Sequence, residues 1–232
     1  MRAPKHILDL SWPVSPGMPL FPGDPPVTLA PMGVLETDGF LSHLAGLPAH
    51  SGTHVDAPAH VLADGEALCD LPLSRFAGPG VVLDVRDRAG LAVQGQDLEP
   101  HLVWLRAQAP AFVLLLTGDA ARWGEADYFT RGAHLTPEAA LLLAGLGLSG
   151  IGLDAASVDP YETSDQHEAG CATGTCQLPA HRLLLGAGLV IVENLCGLDR
   201  LPASGFEFLC LPVLGLDGSP VRAAALLPGG VS

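Results

Sequence analysis

The stretch HSGTHVDAPAH, residues 50–60, constrains this chain more than any other. Three histidines and an aspartate fall within it, with Gly52 and Pro58 set between them. A helix would bring His50 and His54 together at i, i+4. Gly52 and Pro58 both oppose a helix, however, and Asp56 at i+6 would leave that face. In an extended strand, residues of equal parity share a face, so His50, His54, Asp56 and His60 would all point one way. On a flat strand rising about 3.3 Å per residue, His50 and His54 would stand about 13 Å apart, too far to meet at one point. The segment therefore has to curve. Gly52 permits unusual φ and takes a side chain off the ligand face, and Pro58 stops a regular ladder. The expectation is a bent strand edge that turns metal-type ligands inward. The plain alternative is a polar loop whose histidines are satisfied by hydrogen bonds.

The rest of the chain supplies the frame. SWPVSPGMPLFPGDPP (11–26) carries six prolines and cannot be helical, so it is expected to run as an ordered arm over the surface. HILDL and PVTLA read as short extended pieces near that arm. PGVVLDVRD (79–87) and AFVLLLTGD (111–119) read as strands, the second a buried apolar run ended by glycine. DLEPHLVWLRAQ (97–108) has helical spacing, with Leu98, Leu102 and Leu105 on one side. LTPEAALLLAGLGL (135–148) is the clearest helix, with Thr136 at the N-cap, Pro137 at the first position and Glu138 in the first turn. SGIGLDAAS enters another strand, LPAHRLLLGAG (178–188) is helical and closes on glycine, and LVIVENL (189–195), FEFLCLPVL (206–214) and PVRAAALL (220–227) read as strands. Strands and helices alternate through the middle, with extra strands at both ends. This is an α/β chain with a mixed sheet and flanking helices.

Composition excludes some functions. With 48% hydrophobic and 16% charged residues in 232, the chain is long and apolar enough to bury a core. A net charge of −14 argues against nucleic acid or an anionic membrane surface as partner. The N-terminus lacks the apolar core of a signal peptide, and the longest apolar run, at 141–153, is too short to span a bilayer. Five scattered cysteines with no CxxC fit a reducing, cytoplasmic compartment. No repeat or linker divides residues 1–232, which read as one domain.

HSGTHVDAPAH resembles, position for position, the HxGTHxDxPxH signature of the cyclase family of metal-dependent hydrolases, which includes bacterial kynurenine formamidase and isatin hydrolase. SWPVSPGMPLFPGDPP resembles that family's amino-terminal arm and GLDAASVDP (152–160) its GxDxxSxD segment. PAHRLLLGAGLVIVENL (179–195) resembles the segment that supplies a late His and Glu, and FEFLCLPVLGLDGSPVRAAAL its carboxy-terminal strands. The resemblance implies the swivelling β/β/α fold and a homo-oligomer, dimer or tetramer. It also implies two divalent metal ions, with zinc ranked ahead of manganese. By the same match, His50, His54 and Asp56 would hold the first metal. Asp56 would bridge to a second, completed by His181 and Glu193, and His60 would be the catalytic acid/base. His181 and Glu193 each interrupt an apolar run, on a predicted helix and a predicted strand.

The implied activity is hydrolysis of an amide-type carbon–nitrogen bond. N-formylkynurenine is the leading substrate, giving kynurenine and formate. VENL resembles the general cyclase branch as well as it does the formamidases, which keeps an isatin-like lactam, an ester or a lactone in view. A protein that binds metal without catalysis, or a cupin-like barrel, is the contrasting class. The presence of His60 speaks against the first, and the helices against the second. Asp154 and Ser157 could support the site or form a turn. Cys171, Cys176 and His167 sit in a distinct segment, 161–177, as incidental thiols and a loop histidine or as lining of the pocket.

Overall fold

The computed structural model describes residues 6–88, 91–161 and 178–229. Thirteen strands are formed there: β1 His6–Asp9, β2 Thr28–Gly33, β3 Ser42–Gly46, β4 His54–Asp56, β5 Ala77–Asp84, β6 Ala92–Val93, β7 Phe112–Leu116, β8 His134–Leu135, β9 Gly150–Leu153, β10 Val190–Glu193, β11 Phe206–Leu209, β12 Gly218–Pro220 and β13 Ala224–Leu227. Nine of them build one mixed sheet in the order β1-β13-β11-β5-β7-β9-β10-β4-β12. The four central strands, β5, β7, β9 and β10, are parallel, and the outer ones are antiparallel.

Burial on both faces explains why the central strands read as unbroken apolar runs. Along β7, Val113 and Leu115 join one core cluster, and Phe112, Leu114 and Leu116 join the other. The first cluster is closed by three helices: α1 Leu102–Gln108, α2 Pro137–Ala144 and α3 Pro179–Gly186. The second is closed by side chains of the antiparallel strands and loops, such as Leu10, Val55, Phe76 and Phe208. Gly150 and Gly152 of β9 belong on that second face for lack of room. A Cβ on Gly150 would come within 2.9 Å of the Phe112 ring, and one on Gly152 within 2.8 Å of Leu114.

The predicted helix over 135–148 is α2, with Thr136 at its N-cap accepting from the Ala139 amide at 3.3 Å. Thr136→Ala is expected to cost about 1 kcal/mol, read as a lower urea midpoint at unchanged slope. The helix predicted over 97–108 is broken by a 3-10 turn at Glu99–His101, where Pro100 removes a donor. Two predicted strands are also shorter than expected. The chain leaves the sheet after Leu209, and the run 220–227 splits, with Val221–Ala223 separating β12 from β13.

That split has a topological reason. β12 pairs with β4 at one end of the sheet, whereas β13 pairs with β11 and β1 at the other. The four Cα–Cα steps from Pro220 to Ala224 reach at most about 14 Å, so the sheet must curl until its two ends approach.

The proline-rich arm has no regular structure apart from a single bridge, Ser11 with Leu195. It is anchored by the Trp12 amide, which donates to Thr53 Oγ1 at 3.0 Å, and by Trp12 stacked on Trp123 at 5.0 Å.

Candidate metal centre

β4 is only three residues long, and this corrects the sequence picture. Parity along one strand applies to His54 and Asp56 alone. His50 lies in a turn before the strand, and His60 ends a 3-10 turn, Pro58–His60. The expected bend is concentrated at Gly52, whose φ of +60 is open to glycine at no steric cost. β4 lies between β10 and β12, in a register that sets His54 opposite Glu193 and Asp56 opposite Ile191. Ile191 belongs to the helix-side core, so the ligand face is the one that α3 covers. His181, in the first turn of α3, reaches the centre from above the sheet.

The five residues singled out as ligands meet. His50 Nδ1 lies 2.7 Å from Asp56 Oδ1. His54 Nε2 lies 3.3 Å from Asp56 Oδ1 and 3.5 Å from Glu193 Oε2. His181 Nε2 lies 3.7 Å from Asp56 Oδ2 and 3.5 Å from Glu193 Oε1. Asp56 is fully buried, and His54, His181 and Glu193 nearly so. Glu193 therefore touches both halves of the centre, where the sequence reading gave it only to the second.

These side chains fit a divalent metal on three independent grounds. First, ligands at about 2.1 Å from a tetrahedral ion stand about 3.4 Å from one another, close to the His54 and His181 separations from their carboxylates. Second, buried Asp56 Oδ2 has no hydrogen-bond partner, although buried carboxylate oxygens are normally satisfied. Third, each of the three histidines has its other ring nitrogen engaged away from the centre. His50 Nε2 bonds Asp217 Oδ2 at 3.0 Å, His54 Nδ1 bonds the Gly52 carbonyl at 2.9 Å, and His181 Nδ1 bonds Asp159 Oδ2 at 2.7 Å. When neutral, an imidazole whose outer N–H is held in this way presents its inner nitrogen as a lone pair.

His60 stands apart from the two carboxylates. Its ring centroid is 4.1 Å from that of His50 and 5.6 Å from that of His181, and its Nδ1 is 3.4 Å from Asp217 Oδ2. Asp217 thus touches both His50 and His60, and those three also form a possible ligand group. Gly218 leaves room for the His50 ring, because a Cβ there would overlap the imidazole.

Sequence reasoning missed Asp159 and Asp217. Asp159 is the last aspartate of GLDAASVDP and lay within the stretch already quoted. Nothing local marked Asp217. Of the two residues considered as supports, Asp154 accepts from the Thr117 amide and hydroxyl, each at 2.6 Å, and so ties β7 to β9. Ser157 Oγ accepts from the Asp159 amide at 3.2 Å, a turn role. Cys171, Cys176 and His167 lie outside the described residues.

The charges compensate one another. Burial would lower the His50 pKa, but Asp56 and Asp217 reverse this and raise it to about 9. Burial likewise opposes the charge on His181, and Asp159, Asp56 and Glu193 raise it to about 10. Burial would raise Asp56, yet His54, His181 and His50 hold it well below the carboxylate range. Burial and the Asp56 charge push Glu193 up. Burial, aided by His50 and His181, holds His60 below the ordinary imidazole value against the pull of Asp56.

A pH dependence follows for protein stripped by chelator. An unfolded histidine titrates near 6.5. The stabilisation from charged His50 and His181 is complete below that value and is lost as pH rises through about 9 and about 10. The urea midpoint of stripped protein is expected to fall between pH 7 and pH 10. Metal affinity should rise over the same interval, because binding displaces those protons. A flat midpoint across it would contradict this charge pairing.

A family model described as "Putative cyclase" matches residues 8–160. The kynurenine formamidase of Salinibacter ruber is 34% identical over 226 residues, covering 94% of this chain and 95% of that protein. The kynurenine formamidase of Paracidovorax citrulli is 33% identical over 239 residues, covering 98% and 100%. Among solved structures, isatin hydrolase A from Labrenzia aggregata bound to benzyl benzoate superposes with a TM-score of 0.78 at 25% identity, across 97% of this chain and 94% of that one. The motif, the curled mixed sheet and these likenesses agree: this chain belongs to the cyclase family.

Proposed function

We propose that this protein is a metal-dependent hydrolase of amide-type carbon–nitrogen bonds, with N-formylkynurenine as substrate and kynurenine and formate as products. The observation that carries the reading is the inward-facing set His50, His54 and His181 around Asp56 and Glu193, with Asp56 Oδ2 unpartnered. Those five residues would hold one or two divalent ions, zinc ahead of manganese, though imidazole with carboxylate suits either. Such ions, when bound, bring a water's pKa towards neutrality and polarise a carbonyl.

The remaining work falls to His60. Its Nδ1 lies 3.4 Å from Asp217 Oδ2, and with the proton held on that side, exchange with the substrate falls to Nε2. Burial lowers its pKa, which favours the neutral imidazole with that nitrogen free. Nε2 can therefore take a proton from the attacking water and hand it to the leaving nitrogen as the carbon–nitrogen bond breaks. The identities to two kynurenine formamidases support the formamide substrate. The likeness to isatin hydrolase A favours a lactam as the second reading.

Elemental analysis of purified protein, paired with turnover of formamides, lactams, esters and lactones, tests both readings. N-formylkynurenine hydrolysed at a rate comparable to the best substrate supports the first. Turnover of lactams alone would replace it with the second.

The assembly we propose is a homo-oligomer. β2 and β3 form a two-stranded ribbon away from the main sheet, and an isolated ribbon is marginal in water. Met32, Leu35, Phe40, Leu41 and Leu44 on and beside it are exposed, a patch suited to burial against a second copy. Among the described residues Cys69, Cys196 and Cys210 are free thiols, which supports a reducing compartment.

A further inference from the structure

We infer that Asp159 is a positioning residue that fixes the tautomer of His181, and that the same carboxylate anchors the helix carrying it. The inference rests on the metal-centre reading above. α3 begins without a cap of its own. Leu178 at the N-cap position offers no side-chain bond, and Pro179 at the first position has no N–H. The first free amides turn instead to Asp159: Ala180 N donates to Oδ1 at 2.9 Å, and His181 N donates to Oδ2 at 3.0 Å. The same Oδ2 accepts from His181 Nδ1 at 2.7 Å. One buried carboxylate thus places the His181 backbone and decides which ring nitrogen keeps its proton.

The neighbouring residue works in parallel. Val158 N donates to Glu193 Oε1 at 2.8 Å, and the Val158 carbonyl is itself held by the Leu135 amide at 2.8 Å. Val158 and Asp159 together therefore form a strap that holds both ligands supplied by the late part of the chain. With Nδ1–H committed to Asp159, His181 Nε2 is the nitrogen left to face Asp56 and Glu193.

Asp159→Ala tests this. The change takes the acceptor away from Nδ1 and from both helix N–H groups at once. Nothing then commits the His181 proton to Nδ1. The measurement is the pair of histidine ring nitrogen-15 shifts, with long-range proton correlation, on zinc-loaded protein, together with zinc affinity by competition against a chelator. In the parent, His181 is expected to carry its proton on Nδ1 and zinc on Nε2. In the variant that signature should be lost, and zinc affinity should fall about 10–100-fold.

A parent spectrum with zinc on Nδ1 overturns the inference, even if the variant fails to fold. So does a variant that keeps both the parent signature and the parent affinity. A parent that takes up no divalent metal overturns the metal-centre reading and this inference with it. A parent that binds zinc through the other ligands with His181 unengaged overturns this inference alone.

Discussion

Asp56→Asn is expected to empty the metal centre and abolish turnover. Asp56 is fully buried, and its two oxygens face three imidazoles, from His50, His54 and His181. Among the described residues, no other touches so many of the proposed ligands. The substitution conserves volume but removes the negative charge and turns an N–H donor towards nitrogens that must act as acceptors. Metal catalysis is worth several kcal/mol of barrier, and each 1.36 kcal/mol is tenfold in rate. A loss of about 10³-fold or more follows, with metal content near zero after dialysis. The stripped variant should also be less stable than stripped parent at neutral pH, because breaking one side of a buried charge pair costs about 3–5 kcal/mol. Near-parent metal content and rate in Asp56→Asn would place the working centre elsewhere.

His60→Ala is expected to separate chemistry from metal binding. His60 lies beside the ligands but makes no contact with Asp56 or Glu193 at ligand spacing, and its own carboxylate partner is the half-exposed Asp217. Removing a general acid/base costs about 10²–10⁴-fold in rate, whereas metal content and the urea midpoint should stay close to parent values. The pH profile is the second readout. The limb that reports deprotonation of a lowered-pKa imidazole should disappear in the variant. Substoichiometric metal in His60→Ala would instead make His60 a ligand, in the group it forms with His50 and Asp217. Full activity with full metal would assign the proton transfer to another residue.

Much of this protein was legible locally. The apolar runs of β5, β7, β9 and β10 gave the central strands, because a strand buried on both faces has no polar face to show. Thr136 with Pro137 gave the start of α2, because both act within one helical turn. Gly52 and Pro58 showed that residues 50–60 had to bend, because each acts on its own backbone torsion. The bend turned out sharper than expected, leaving β4 three residues long.

The sequence by itself determined which residue types are available as candidate ligands, the bend that gathers His50, His54 and Asp56, and the order of strands and helices. These follow from torsional limits and hydrophobic period, which act between near neighbours. The tertiary structure decided the rest. The pairing of β4 with β10 set His54 against Glu193, and the curl of the sheet brought Asp217 to His50 and His60 across separations of 167 and 157 residues. Asp159 was chosen from 25 acidic residues only by the docking of α3. A carboxylate becomes the partner of an imidazole through proximity in space, and no local pattern in an acidic chain distinguishes the one that will be near.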